Sequence, residues 1–275
     1  MICFNKQPND LGQEEFEYMT EFQAHIKSFD NLSSSEIAES ITDIEWINNH
    51  RDQKPAVLVS NSRTVNLLRI VGKKVIKTES IKRKFAKGEG ICMPRTKVTG
   101  ESKEGKLIAS FKTGKELHLH SISMCPDREN FLTSDENRVN LWNLERAGAE
   151  VYSLIDYNRQ KLLENEEAIT CARFNTEGLM FLYATNKGHI RLCDLRESSN
   201  FHKRPSMEFA LSQRSSAANM FDKWLNVISS ASFVPGSHTV LSRDFLSAKL
   251  WDMRMGGSSS MIVDTGNAAK PIYSA

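Results

Sequence analysis

Three groups of residues in this chain have side chains able to do chemistry. His118-Leu119-His120 places two imidazoles on one side of an extended strand, where they could chelate a metal. No Cys, Asp or further His stands nearby at ligand spacing, so histidines that hydrogen-bond within the fold are the better expectation. Asp135-Glu136 sits in a polar stretch between apolar runs, and Glu164, Glu166 and Glu167 close another. Paired carboxylates do acid–base work only where something dehydrates or couples them, and no sequence feature does so here. Two readings remain: solvated turn residues, or an acidic patch for a basic ligand. Gly88-Glu89-Gly90 has no third glycine and no βαβ setting, and neither a G-x-S-x-G nor a Walker loop is present. The expectation is a protein without catalytic residues, metal or cofactor.

The elements that would position these groups repeat. In Phe131–Leu144 (FLTSDENRVNLWNL) a short apolar strand enters a polar turn, Ser134–Arg138, and a second strand alternates Val139, Leu141 and Trp142 with polar neighbours. The outline returns in Val57–Ile70, Met180–Leu195 and Thr239–Met253, with Leu68, Cys193 and Trp251 in the slot of Trp142. Upstream of each copy runs a leader strand: Ile41–Trp46, Leu119–Met124, Ile169–Phe174 and Ile228–Phe233. Leader, hairpin and a further strand such as Val151–Asp156 make one antiparallel blade, so the fold class is all-β, a WD-repeat β-propeller.

Composition agrees. The 275 residues carry 36 basic and 34 acidic side chains, so no global field argues for nucleic acid. No apolar run approaches the ~18 residues of a membrane helix, so no membrane partner is expected. A polar N-terminus and five scattered cysteines without a C-x-x-C pair fit a reducing compartment, with the cytoplasm expected first and the nucleus second.

Along the chain, residues 1–13 read as disordered and 14–275 as a partial propeller. The latter divides into a blade remnant at 14–40, with 31–40 as loop, and repeats near 41–118, 119–168, 169–227 and 228–275. Four blades and a remnant fall short of a seven-bladed ring, so a fragment of a longer chain is expected. A helix-like piece, Ala217–Leu225, puts Met220, Phe221 and Trp224 on one face. The connection after Ile70 is anomalously long. Its segment Lys73–Lys106 holds eleven Lys/Arg against four Glu, including Lys82, Arg83, Lys84, Lys87, Arg95 and Lys97. It reads either as an outer strand with a solvated loop or as an arm that docks a partner. As a nucleic-acid site it lacks interleaved aromatics beyond Phe85, so that partner is not expected.

The wording beyond the repeat resembles the WD-repeat regulatory B subunit (the 55 kDa class) of serine/threonine protein phosphatase 2A. The residues that carry this are Thr20–His25 with Phe29-Asp30, His118–Ser123, Ser134–Glu145, Glu167–Asn175, Lys187–Arg196 and Ser242–Met255. The resemblance covers about Glu15 to Met255. It implies a non-catalytic subunit whose partners are a helical-repeat scaffold subunit, the catalytic subunit and phosphoprotein substrates. It also implies that the 73–106 segment is the scaffold-binding arm, and that His118, Asp135, Glu136, Glu164 and the divergent Leu117 and Asn165 line a substrate groove. Leu117, Asn165 and Asn31 depart from the family's usual tyrosine, leucine and tyrosine, and Glu136 replaces an aspartate. A WD-repeat interaction scaffold outside phosphatase complexes is the alternative reading.

Overall fold

The computed structural model describes residues 2–8, 14–25, 28–30, 35–37, 40–47, 55–83, 91–112, 118–147, 152–157, 167–197, 205–210, 226–255 and 259–264. Every regular element among them is a β-strand. Two ribbons come first: β1 (Ile2–Pro8) pairs with β2 (Glu14–Glu21), and β3 (Ser28–Asp30) with β4 (Ser35–Ile37). A four-stranded sheet follows from β5 (Asp43–Ile47), β6 (Ala56–Ser60), β7 (Thr64–Arg83) and β8 (Ile91–Lys112), in that spatial order. The next contains β9 (Ser121–Met124), β10 (Asn130–Ser134), β11 (Arg138–Asn143) and β12 (Tyr152–Asp156). Then come β13 (Ile169–Phe174), β14 (Met180–Thr185), β15 (His189–Asp194) and β16 (Met207–Ala210). The last sheet holds β17 (Ser230–Phe233), β18 (Thr239–Arg243), β19 (Ser247–Asp252) and β20 (Ser259–Asp264). Each four-stranded sheet is a meander in chain order, the form of a propeller blade.

The chain forms two compact units, one of residues 1–38, 48–56 and 67–108, the other of 39–47, 57–66 and 109–275. In the larger unit, successive sheets bury both faces. On β14, Phe181 and Tyr183 pack in a core with Leu132, Val139, Ile155 and Ile169, while Leu182 and Ala184 join Phe209, Ile228, Val240 and Trp251 in a second. This is why β14 is apolar at nearly every position instead of alternating. The Trp142 slot is a core position in all four sheets: Leu68 is buried, Trp142 stacks on Phe131 with ring centroids 6.1 Å apart, Cys193 faces Phe181, and Trp251 faces Val240. Each indole is also satisfied, Trp142 Nε1 donating to Thr133 Oγ1 at 2.9 Å and Trp251 Nε1 to Ser242 Oγ at 2.8 Å.

Three local expectations change. Residues 2–8, read as loose from their polarity, pair along their length with β2, from Ile2↔Glu21 to Pro8↔Glu14. The ladder satisfies the backbone whatever the side chains are, and Cys3 and its partner Thr20 are both buried. Ser35–Ile37, read as loop, pairs with Ser28–Asp30. Where it is described, the basic connection is not an outer strand followed by a solvated loop: 64–83 and 91–112 are two long paired strands. The Ala217–Leu225 piece lies outside the described residues.

Candidate functional site

In three of the four repeats the turn between the second and third strand is built on one side-chain acceptor. Asp135 Oδ1 accepts from the Asn137 and Arg138 amides at 2.9 and 2.8 Å. Asn61 Oδ1 does the same for Arg63 and Thr64 at 2.9 and 2.7 Å, and Asp244 Oδ1 for Leu246 and Ser247. Short Asx side chains close such turns because they reach a backbone amide two or three residues on. The third repeat turns on Gly188 instead, whose φ of 85° only glycine adopts without strain.

Asp135 is therefore not the hydrated carboxylate that its place in a polar turn suggested. It is 3% exposed and serves the turn it sits in. Burial raises its pKa, against the opposing pull of the Asn137 and Arg138 amides and the Arg138 charge. Glu136 next to it is half-buried, and its carbonyl accepts from Ile169 N at 2.8 Å. His118 and His120 are both exposed and flank the buried Leu119, whose amide donates to Ser62 O at 3.0 Å. His120 N donates to Ser134 O at 2.8 Å, so the ring sits near Asp135 and Glu136. Partial desolvation holds His120 below the usual histidine range, against the pull of Glu136 and Asp135. Among the described residues no three His, Cys, Asp or Glu side chains gather as a metal-binding group.

The structure thus brings His118, His120, Asp135 and Glu136 to one end of the second repeat. Leu117, Glu164 and Asn165 lie outside the described residues, as do Lys84 and Lys87 of the arm. Lys82 and Arg83 fall on β7 and Arg95 and Lys97 on β8, with Lys97 exposed. Further along the arm, Lys73 pairs with Glu104 at 2.8 Å, Ser102 Oγ donates to Lys73 O, and Thr99 Oγ1 to Val75 O. The arm also shows apolar side chains to water, among them Ile76 at 57% and Val98 at 56%. In the same unit, Thr20 Oγ1 donates to Lys103 O beside a cavity of about 560 Å³ lined by Tyr18–Glu21 and Glu101–Lys103.

Two polar networks escaped the sequence reading. On the leading strands, Asp43 Oδ2 accepts from Ile122 N at 2.8 Å and pairs with Arg173 Nη2 at 3.0 Å. Arg173 also reaches Ile122 O and Glu45, so one guanidinium ties three repeats together. The second network centres on Arg191 of β15. It donates from Nε to Glu208 at 2.8 Å and from Nη1 to Tyr157 Oη at 2.7 Å, and pairs with Glu167 Oε1 at 3.1 Å. His189 Nδ1 meets the same Glu167 oxygen at 3.0 Å. In the sequence Glu167 reads with the solvated acids; the signal of its role is the pair of bases at alternate positions in HIRL, on one face of a strand.

Against this geometry stand the known proteins. The chain is 30% identical over 267 residues to the protein phosphatase PP2A 55 kDa regulatory subunit of Drosophila melanogaster, matching 93% of this chain and 53% of that protein. It is similar in the same way to regulatory B subunits of protein phosphatase 2A from other organisms. The PP2A regulatory B subunit of Candida tropicalis is 29% identical over 276 residues, and the gamma isoform of the 55 kDa regulatory B subunit of Mus musculus 27% over 267. The chain spans about half the length of these relatives, 53% and 59% respectively. No family model matches it. Among solved structures, it is similar to a chain of a humanized mutant of the Chaetomium thermophilum Polycomb Repressive Complex 2 bound to the inhibitor GSK126. The TM-score is 0.53 at 12% identity, over 84% of this chain and 42% of that one, a likeness of fold alone. The fold is all-β and of the WD-repeat propeller type.

Proposed function

We propose that this chain is a non-catalytic regulatory subunit, which targets a protein phosphatase 2A complex to its substrates. The observation that carries the reading is the similarity to PP2A 55 kDa regulatory subunits along 93% of the chain. In this reading the long basic hairpin docks the helical-repeat scaffold subunit, and the turn-end group of His118, His120 and Glu136 receives a basic segment of a phosphoprotein, together with Leu117, Glu164 and Asn165. The chemistry is performed elsewhere, by the catalytic subunit. A tethered substrate meets that subunit at a raised effective concentration, in the millimolar range for short flexible links. The cytoplasm is the proposed setting.

The arrangement suits recruitment. Glu136 is accessible enough to pair with a lysine or arginine, and its backbone is fixed before any ligand arrives, which lowers the ordering cost of binding. The test is affinity purification of the full-length tagged product from cells. Recovery of phosphatase scaffold and catalytic subunits supports the reading. Recovery of a different assembly, with no phosphatase subunit, overturns it. Phosphopeptide hydrolysis by the purified chain alone would overturn the non-catalytic part.

A further inference from the structure

The turn that carries Glu136 is held from outside its own hairpin. Its two central carbonyls are both taken: Glu136 O by Ile169 N at 2.8 Å, and Asn137 O by Tyr157 N at 2.9 Å. Tyr157 directly follows β12, the last strand of the turn's own sheet, and Ile169 opens the third repeat, so both bonds come from outside the turn's own hairpin and one comes from the next sheet. Both donor segments are gripped by one side chain of the third repeat. Arg191 donates to the hydroxyl of Tyr157 at 2.7 Å and pairs with Glu167, two residues before Ile169, at 3.1 Å. Glu208 at 2.8 Å and the face of Tyr183 at 6.0 Å fix the guanidinium itself. His189 adds a second hold on Glu167 at 3.0 Å.

From this we infer that Arg191 is a positioning residue for Glu136. A planar guanidinium can serve two partners in fixed directions at once, which an ammonium on a flexible stem does not. By joining Tyr157 to Glu167, Arg191 sets the places of the two amides that in turn set the Glu136 turn. It has no part in the interaction surface itself, and its effect reaches the ligand only through Glu136. The inference rests on the reading that Glu136 receives a basic segment.

The experiment uses the full-length protein in its assembled complex and a fluorescent phosphoserine peptide rich in lysine and arginine. Peptide affinity is read by anisotropy and scaffold binding by co-precipitation. Glu136→Gln should weaken peptide binding by roughly fivefold, the scale of one partly exposed charge pair. Arg191→Ala should weaken it by a similar factor, and Arg191→Lys should restore little. Combined with Glu136→Gln, Arg191→Ala should cost nothing further, because it acts through that residue alone. Tyr157→Phe, which removes only the hydroxyl, should give a smaller loss that also vanishes in the Glu136→Gln background. Scaffold binding should hold in every variant. Peptide binding at wild-type strength in both Arg191→Ala and Tyr157→Phe would overturn the inference, as would losses that multiply in the double variants. If Glu136→Gln itself binds the peptide as wild type does, the acidic-turn reading falls first and the inference with it. If Arg191→Ala also loses the scaffold, its role is general folding unless Tyr157→Phe shows the selective loss.

Discussion

Asp135 and Glu136 are adjacent acids with different tasks, and their substitutions should separate. Asp135 is buried and supplies the acceptor for two amides. Asp135→Ala would leave both amides without it, at a cost of about 1–3 kcal/mol, whereas Asp135→Asn keeps an acceptor and should cost less. Glu136→Gln should change stability by less than about 0.5 kcal/mol, as surface substitutions usually do. Urea unfolding of each variant checks this: equal destabilisation by Asp135→Ala and Glu136→Gln would contradict the division. The sequence made the turn legible through its residue types, but not which of the two acids faces inward. A side chain that closes a turn and one that greets a ligand look alike in a string of polar letters. Only the backbone path decides.

The strands teach a different lesson. Their apolar alternation was readable, and the leaders and hairpins fall where the pattern put them. What alternation could not reveal is how the exposed edge of each leading strand is satisfied. β13 is an edge strand of its own sheet, and its outward amides are taken by side chains of β9: Ala172 N by Ser121 Oγ at 2.9 Å and Phe174 N by Ser123 Oγ at 3.0 Å. The serines look like filler in a polar register, because their partners lie 51 residues away. Ser121→Ala should therefore destabilise by about 1–3 kcal/mol, far above a serine change at an exposed site, as read by thermal or urea unfolding. The arm was ambiguous for another reason. Lysine and glutamate have low strand preference, so a charged run on a ladder resembles a charged loop. Replacing Lys82, Arg83 and Lys84 with Glu should abolish scaffold co-precipitation while leaving capture of the basic peptide intact. Loss of both would argue against separate surfaces.

At the scale of the whole molecule, acid should loosen the fold through specific carboxylates. Glu167 is held below the usual carboxylate range: burial pushes it up, but the His189 bond and the Arg191 charge outweigh burial. Asp244 is lowered likewise, with Lys249 and Ser247 outweighing burial. The unfolded chain binds these protons more tightly than the folded one. Their stabilisation is thus complete above the ordinary carboxylate range and is lost as pH falls through it toward the lowered values. Asp135, shifted upward, acts in the opposite sense and offsets part of the loss. The urea midpoint should fall between about pH 5 and pH 3, and Glu167→Gln should make that fall shallower. An unchanged slope would mean that the Arg191 network contributes nothing to folding.

The paired indoles of the second and fourth repeats also make the protein report on itself. Trp142 and Trp251 are 6% and 2% exposed and hydrogen-bonded inside apolar surroundings, whereas Trp46 is 41% exposed. Emission from the first two should lie toward the blue and resist acrylamide, and Trp46 should be quenched readily. With Trp46 and Trp224 replaced by Phe, a further Trp142→Phe or Trp251→Phe leaves a single lamp in one repeat. If the two lamps shift at the same urea concentration, the sheets unfold as one body. If they shift apart, each repeat carries its own melting point, and regulation could act on one blade while its neighbours stay folded.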